Sequence, residues 1–245
     1  MFLKDCCRFC LDWLMPIECM FCGKYGKLVC DECLENIEFN PINRCPFCGK
    51  FSFSGLTCYD CKKSGKELSG LFCYGFYNDV KIKKIIHFCK YRYLSALADP
   101  LSTMLSYVIK NIKKGQQISA LPKIIKEDTL YIPVPLHKRK LRERGFNQSE
   151  LLLKRLADRK EILEKDILLD CLIRFRYTDP QAKMPADEKI NNLKNAFAYN
   201  GKKLKNRNVV LIDDVSTSGI TLNECAKVLR KNGTKKVWGV VIARG

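Results

Sequence analysis

A chain of 245 residues, 47% of them apolar, has material for a core domain of ordinary size beside a small module, and is too apolar for a disordered polymer. Lysine and arginine outnumber aspartate and glutamate 44 to 26, and the net charge of +18 favours anionic partners such as nucleic acid, phosphorylated small molecules or anionic lipid. Lysines spread over solvated faces account for the surplus equally well. The longest uncharged runs, such as PLSTMLSYVI (100–109), fall short of the ~18–20 apolar residues of a membrane span, and Lys4, Asp5, Arg8 and Asp12 interrupt any signal-peptide core. No membrane span is expected, and the chain is placed in the cytoplasm, where thiols stay reduced.

The first elements are built on cysteine. Eleven of the 15 cysteines lie at or before residue 61, and four pairs share the spacing C-x-x-C: Cys19/Cys22, Cys30/Cys33, Cys45/Cys48 and Cys58/Cys61. Glycine follows Cys22 and Cys48 directly. Two thiolates three positions apart can face one metal if the backbone turns tightly, and glycine permits that turn. The spacing therefore predicts two closed, structural zinc sites of four thiolates each. The simple assignment is Cys19, Cys22, Cys30 and Cys33 around one Zn²⁺, with Cys45, Cys48, Cys58 and Cys61 around a second. A cross-braced exchange of pairs fits the same spacing and stays open at this point. A reducing compartment disfavours a disulfide scaffold, and four copies do not resemble one redox site. Cys7/Cys10 forms a fifth pair without a partner pair, and Cys6, Cys73, Cys89, Cys171 and Cys225 stand alone as ordinary thiols.

Beyond residue 66 the pattern changes, which divides the chain into a cysteine module over 1–66 and a larger domain over 67–245. SGKELSG (64–70) reads as a linker and 70–78 as a strand or strand pair. Ile82, Ile85, Ile86 and Cys89 give 80–91 a helical stripe. A second helix is expected over 94–112, broken near Pro100, followed by a polar loop with a helical turn to 128. TLYIPV (129–134) reads as a buried strand. Asn147 is placed as the N-cap of a helix over 147–156 carrying Leu151, Leu152 and Leu156. VVLI (209–212) is a short apolar strand, 221–231 a helix ending at Asn232–Gly233, and 237–243 a further strand. Strands alternating with helices imply an α/β fold with a parallel sheet, whose ligands bind at the carboxyl ends of the strands.

Asp213 and Asp214 fall at such an end. The turn after them offers backbone N–H groups, the positive end of a helix, and the hydroxyls of Ser216, Thr217, Ser218 and Thr221, while Gly219 allows close backbone approach to a phosphate. Two carboxylates would repel a bare phosphate. They suit a ligand that also carries vicinal hydroxyls or a divalent cation, and a ribose 5-phosphate has this arrangement.

The stretch DDVSTSGIT (213–221) resembles the phosphoribosyl pyrophosphate signature of type I phosphoribosyltransferases. IPVPLHKRKLRERGFNQS (132–149), RFRYTDPQ (174–181), NLKNAF (192–197) and the cysteine pairs are similar to the ComF-type proteins, a competence-associated group that includes the GntX-like proteins. Arg174, Arg176, Thr178, Gln181, Asn192, Ala196 and Phe197 fall on matching positions. The likeness runs from about Cys19 to Gly245. Lys189 and Met184 depart mildly from it. Thr217 departs more, because purine-salvage enzymes of the wider group carry an aspartate there.

The resemblance implies a double zinc ribbon followed by a type I phosphoribosyltransferase-like parallel sheet flanked by helices. It implies that Asp213 and Asp214 bind the ribose hydroxyls and act as the catalytic pair. It further implies that Ser216, Thr217, Ser218, Gly219 and Thr221 hold phosphate, that one of the two aspartates can reach the ribose through Mg²⁺, and that the same ion bridges the pyrophosphate. The basic loop after Val134, with Lys138, Arg139, Lys140, Arg142 and Arg144, would meet the pyrophosphate end; a solvated basic helix or a nucleic-acid patch are the rival readings of that loop. Segment 174–197 would be a flap closing over the centre. His137 can contact phosphate, whereas His87, Trp13 and Trp238 read as packing residues. Two functions follow: a Mg²⁺-dependent phosphoribosyltransferase of unassigned acceptor, or a non-catalytic module that binds single-stranded DNA and keeps the pocket for ligand sensing. Competence proteins are the implied partners, by kinship.

Overall fold

The computed structural model describes residues 17–91, 95–114, 125, 127–177, 193 and 195–245. The expectations for Cys6, Cys7, Cys10 and Trp13, for most of 111–128 and for 178–192 of the flap lie outside them. The chain divides into two compact units, one closing at Glu38 and the other running Phe39–Gly245.

The two cysteine segments are built alike. In each, an antiparallel bridge (Glu18 with Tyr25, Arg44 with Phe51) closes a C-x-x-C-G knuckle. The N–H of the knuckle's first cysteine donates to the lysine five residues on, at 2.8 Å for Cys19 to Lys24 and 2.9 Å for Cys45 to Lys50. Each second pair begins a five-residue helix, α1 (Asp31–Glu35) and α2 (Tyr59–Lys63).

The larger unit holds a four-stranded parallel sheet in the order β1-β6-β5-β2, with β1 Leu68–Phe76, β2 Leu130–Pro133, β5 Asn208–Ser216 and β6 Lys236–Arg244. A small antiparallel pair joins β3 (Leu172–Arg174) to β4 (Phe197–Tyr199). Val237 to Ala243 are all buried, the continuous apolar run that a parallel strand covered on both faces requires. The helices are α3 (Val80–Tyr91), α4 (Ala98–Lys114), α5 (Lys138–Arg144), α6 (Gln148–Asp158) and α7 (Ile220–Lys231). α4 lies on β1 and β6, and α6 on β2 and β5. α7 packs Leu222, Cys225, Ala226 and Leu229 into one cluster with Leu71, Cys73, Val209, Leu211, Val237 and Val241, alternate residues of the three longer strands.

Several expected boundaries move, each for a local reason. Pro100 does not break a helix: it sits in the first turn of α4, where its missing N–H has no partner to lose. The strand expected to stop at Ile212 runs to Ser216, because β6 pairs alongside through Asp213–Val241, Val215–Ala243 and Ser216–Arg244. The basic stretch 138–144 is a helix rather than a loop, capped by His137, whose Nδ1 accepts from Arg139 N–H at 3.2 Å, and ended by Gly145 at φ +80°. The linker 64–70 is shorter than expected, because β1 begins at Leu68.

The cause of that early start is Asn223 of α7. Its Oδ1 accepts from the N–H groups of Glu67 (2.9 Å) and Leu68 (3.4 Å), and the residue is only 2% exposed. The second cysteine segment is tied to the same edge: Thr57 N–H donates to Ser69 O, Asn40 N–H to Tyr74 O, and Leu56 bridges to Gly70. That is why compactness groups the second quartet with the sheet, whereas sequence pattern divides the chain near residue 66. Asn223→Ala would leave two enclosed N–H groups without an acceptor. It should cost about 1–3 kcal/mol in urea unfolding of the full chain, with zinc content unchanged.

Candidate functional site

The zinc centres are sequential rather than cross-braced. Cys19, Cys22, Cys30 and Cys33 form one group and Cys45, Cys48, Cys58 and Cys61 the other, with the four ligand atoms of each within 4.8 Å of one another. Cys22 Sγ–Cys30 Sγ and Cys48 Sγ–Cys58 Sγ are both 3.6 Å. That is close to the ~3.8 Å edge of a tetrahedron whose corners stand about 2.3 Å from Zn²⁺. The thiols of a quartet pull against one another. Against the cost of burial, backbone N–H groups bring Cys19 and Cys45 down to about 6, while burial and the neighbouring thiols push Cys33 up to about 12. A dication at the centre removes the conflict by holding all four as thiolates. With four protein ligands each, both sites are closed and structural.

The second knuckle presses on the turn that follows the acid pair. Gly219 has φ +70°, and a Cβ there would stand 3.1 Å from Pro46 O and 3.2 Å from the Phe47 ring. Arg244, at the end of β6, donates to Arg44 O at 3.2 Å and to Cys45 O at 2.9 Å. The hydroxyl–glycine turn is thus clamped between the strand pair and the zinc ribbon.

A cavity of about 210 Å³ opens at the carboxyl end of the sheet, with Asp213, Asp214, Thr221, Lys140, Arg174 and Lys90 among its lining. Asp213 Oδ1 accepts from Ser149 Oγ at 2.9 Å and from Asp214 N–H at 2.9 Å. Lys90 Nζ lies 2.7 Å from Asp214 Oδ2. Burial opposes charge on Lys90, but Asp214 outweighs it and holds the ammonium above its ordinary value. Burial, and then the neighbouring Asp214 charge, push the Asp213 carboxyl up to about 7, against Lys90 and the Ser149 hydroxyl. Burial also lowers Arg174.

The sequence-derived residues divide. Asp213, Asp214 and Thr221 line the cavity. Ser216 is buried at the strand end, where its carbonyl accepts from Gly245 N–H. Thr217 is exposed. Ser218 Oγ is enclosed without a hydrogen-bond partner, beside the amino end of α7. Lys138, Arg139, Arg142 and Arg144 lie on α5 and do not line the cavity, whereas His137 and Lys140 do. Arg139 pairs with Glu143 at 3.0 Å and stacks on Tyr177, 4.8 Å from the ring centre, and Tyr177 also meets the His137 ring. Arg144 donates to Gln148, which borders the cavity.

Lys90 and Ser149 were missed from sequence. Ser149 gave no signal, since a serine in the first turn of a helix is ordinary. Lys90 did: it lies four residues after Ile86, on the apolar stripe of a helix, where a cation is out of place unless it has a partner.

Residues 10–73 match the double zinc ribbon domain and residues 146–245 the phosphoribosyl transferase domain. Competence protein F of Haemophilus influenzae is 30% identical over 220 residues, covering 88% of this chain and 90% of that protein. The DNA utilization protein YhgH of Shigella flexneri is 31% identical over 233 residues, covering 93% of this chain and 95% of that protein. The chain belongs to the ComF family. A more distant ComF relative, competence protein ComFC of Bacillus subtilis, is 24% identical over 220 residues, covering 87% of this chain and 82% of that protein. The ComF segment carrying Lys90 lies between the two domain matches.

Asp213 gives a pH prediction. Its folded value lies above the usual carboxylate value near 3.9, so ionising it costs stability progressively from about pH 4 to 7. Asp213→Asn removes that cost. The variant should unfold at higher temperature than wild type at pH 8, by up to ~4 kcal/mol or roughly 8–16 °C, and most of the gain should vanish by pH 4 in parallel thermal scans.

Proposed function

We propose that the cavity binds phosphoribosyl pyrophosphate with Mg²⁺ and that the protein transfers the phosphoribosyl group to an acceptor, as a phosphoribosyltransferase. The observation that carries this reading is the pairing of two strand-end carboxylates with an adjacent turn whose enclosed Ser218 hydroxyl lacks a partner. Asp213 and Asp214 take the ribose hydroxyls. Ser216 to Thr221 and the amino end of α7 take the 5-phosphate. Lys140, His137 and Arg174 face the pyrophosphate, with Lys138, Arg139, Arg142 and Arg144 adding a positive field from α5. Mg²⁺, as the ligand's counter-ion, would neutralise the leaving pyrophosphate. Thiolate zinc ligands suit a reducing compartment, and on this reading the work is done in the cytoplasm. The names of the relatives point to DNA uptake with other competence proteins as its setting. Calorimetric titration of phosphoribosyl pyrophosphate with Mg²⁺ should give saturable binding that falls at least 100-fold in Asp213→Ala/Asp214→Ala. Equal binding by both proteins, or none by wild type, refutes the reading.

A second reading, binding of single-stranded DNA, is favoured by the surface of the second ribbon. Phe51 and Phe53 are each 72% exposed and Tyr59 76%, with the two phenylalanine rings in an edge contact at 5.5 Å. Lys50 adjoins them in sequence and reaches Asp60, next to Tyr59, at 3.9 Å. Exposed aromatics among cations suit base stacking along a phosphate backbone. Phe51→Ala/Phe53→Ala should weaken single-stranded DNA binding about tenfold while leaving its salt dependence in place, since stacking is lost and charge is not. Unchanged affinity would remove the ribbon from the DNA path.

A further inference from the structure

The acid pair does not face the cavity alone. Lys90 comes from the carboxyl end of α3 and touches Asp214, with side-chain exposures of 17% for the lysine and 5% for the aspartate. Arg174 lines the same hollow and its charge acts on Asp213, while Arg144 acts on Lys90. A divalent ion approaching the carboxylates would meet an ammonium already in contact with one of them, and would be repelled by it and by Arg174. A buried ion pair returns little stability for the hydration it gives up, so a lysine held at a cavity wall argues for use rather than for folding. An ammonium is a compact point charge on a flexible stem, able to shift as a ligand enters.

Resting on the phosphoribosyl pyrophosphate reading of the cavity, we propose that Lys90 is the resident cation of the Asp213–Asp214 pair: it neutralises the sugar end of the site as a metal ion would, and leaves the divalent ion to the pyrophosphate end. Lys90 is on this account a positioning residue. It holds the Asp214 carboxylate in place as a hydrogen-bond acceptor, and it lets two adjacent carboxylates face one sugar without a protein-bound metal.

The test uses the full, zinc-loaded chain and has two arms. In the first, Mn²⁺ alone is titrated and read by paramagnetic broadening of the Asp213 and Asp214 carboxyl ¹³C signals. Wild type and Lys90→Arg should show no selective broadening. Lys90→Met should bind Mn²⁺ saturably at the pair, at least tenfold tighter than wild type, and Asp214→Asn added to it should abolish the effect. Lys90→Gln supplies the same readout should the methionine variant melt below the working temperature. Wild type binding Mn²⁺ at the pair as tightly as Lys90→Met overturns the proposal. In the second arm, phosphoribosyl pyrophosphate is titrated with Mg²⁺ present and omitted. Its affinity should depend on Mg²⁺ at least tenfold more in Lys90→Met than in wild type, and equal dependence overturns the proposal. A wild type that binds no phosphoribosyl pyrophosphate in either condition defeats the pocket reading instead, and the Mn²⁺ arm still decides on Lys90.

Discussion

The pairing of β5 with β6 as far as Ser216 and Arg244 is the constraint on which the site rests. Had β5 ended at Ile212, the acid pair would ride on a loop. Instead both carboxylates belong to a central strand, with their backbones fixed by the ladder. The same pairing delivers Arg244 to the knuckle carbonyls and sets the turn at Ser218–Gly219 against Pro46 and Phe47. One strand pair therefore locates the acid pair, the turn and the zinc ribbon together, and the side chains of Ser149 and Lys90 need only reach in from α6 and α3.

Much of this was legible in the sequence, because it is local. The cysteine quartets follow from spacing, Asn147 and Gly145 announce the ends of their helices, and the apolar runs of β2, β5 and β6 mark a covered sheet. What sequence did not show depends on neighbours far along the chain. The length of β5 is decided by β6, some 28 residues on, and the start of β1 by Asn223, 155 residues away from Leu68. The partnership of Lys90 with Asp214 is of this kind too: the lysine is visible as an oddity on its stripe, but no local rule names its partner. The basic stretch after Val134 was read as a loop because its charges hide the helical period, and it folds as one because His137 and Gly145 cap it.

The two cysteine segments show how one design can take two settings. Both have the same knuckle, bridge and five-residue helix. Only the second lies within the compact unit of the sheet, where Pro46 and Phe47 meet the turn at Gly219. A structural metal site, closed to chemistry, thereby presses on the turn that follows the acid pair.

The sheet order has a consequence for the making of the protein. Neither β1 nor β2 touches the other; each is an outer strand whose neighbour, β6 or β5, is synthesised more than 75 residues later. During translation both wait with their hydrogen-bonding edges open, whereas each zinc knuckle can close as soon as its own short stretch emerges. Nucleation thus has a local, metal-driven beginning and a remote, topology-limited end, the pattern of a slow folder exposed to edge-to-edge association. In such a chain the nascent β1 is most at risk, and an early-formed ribbon just ahead of it is well placed to act as its first shield.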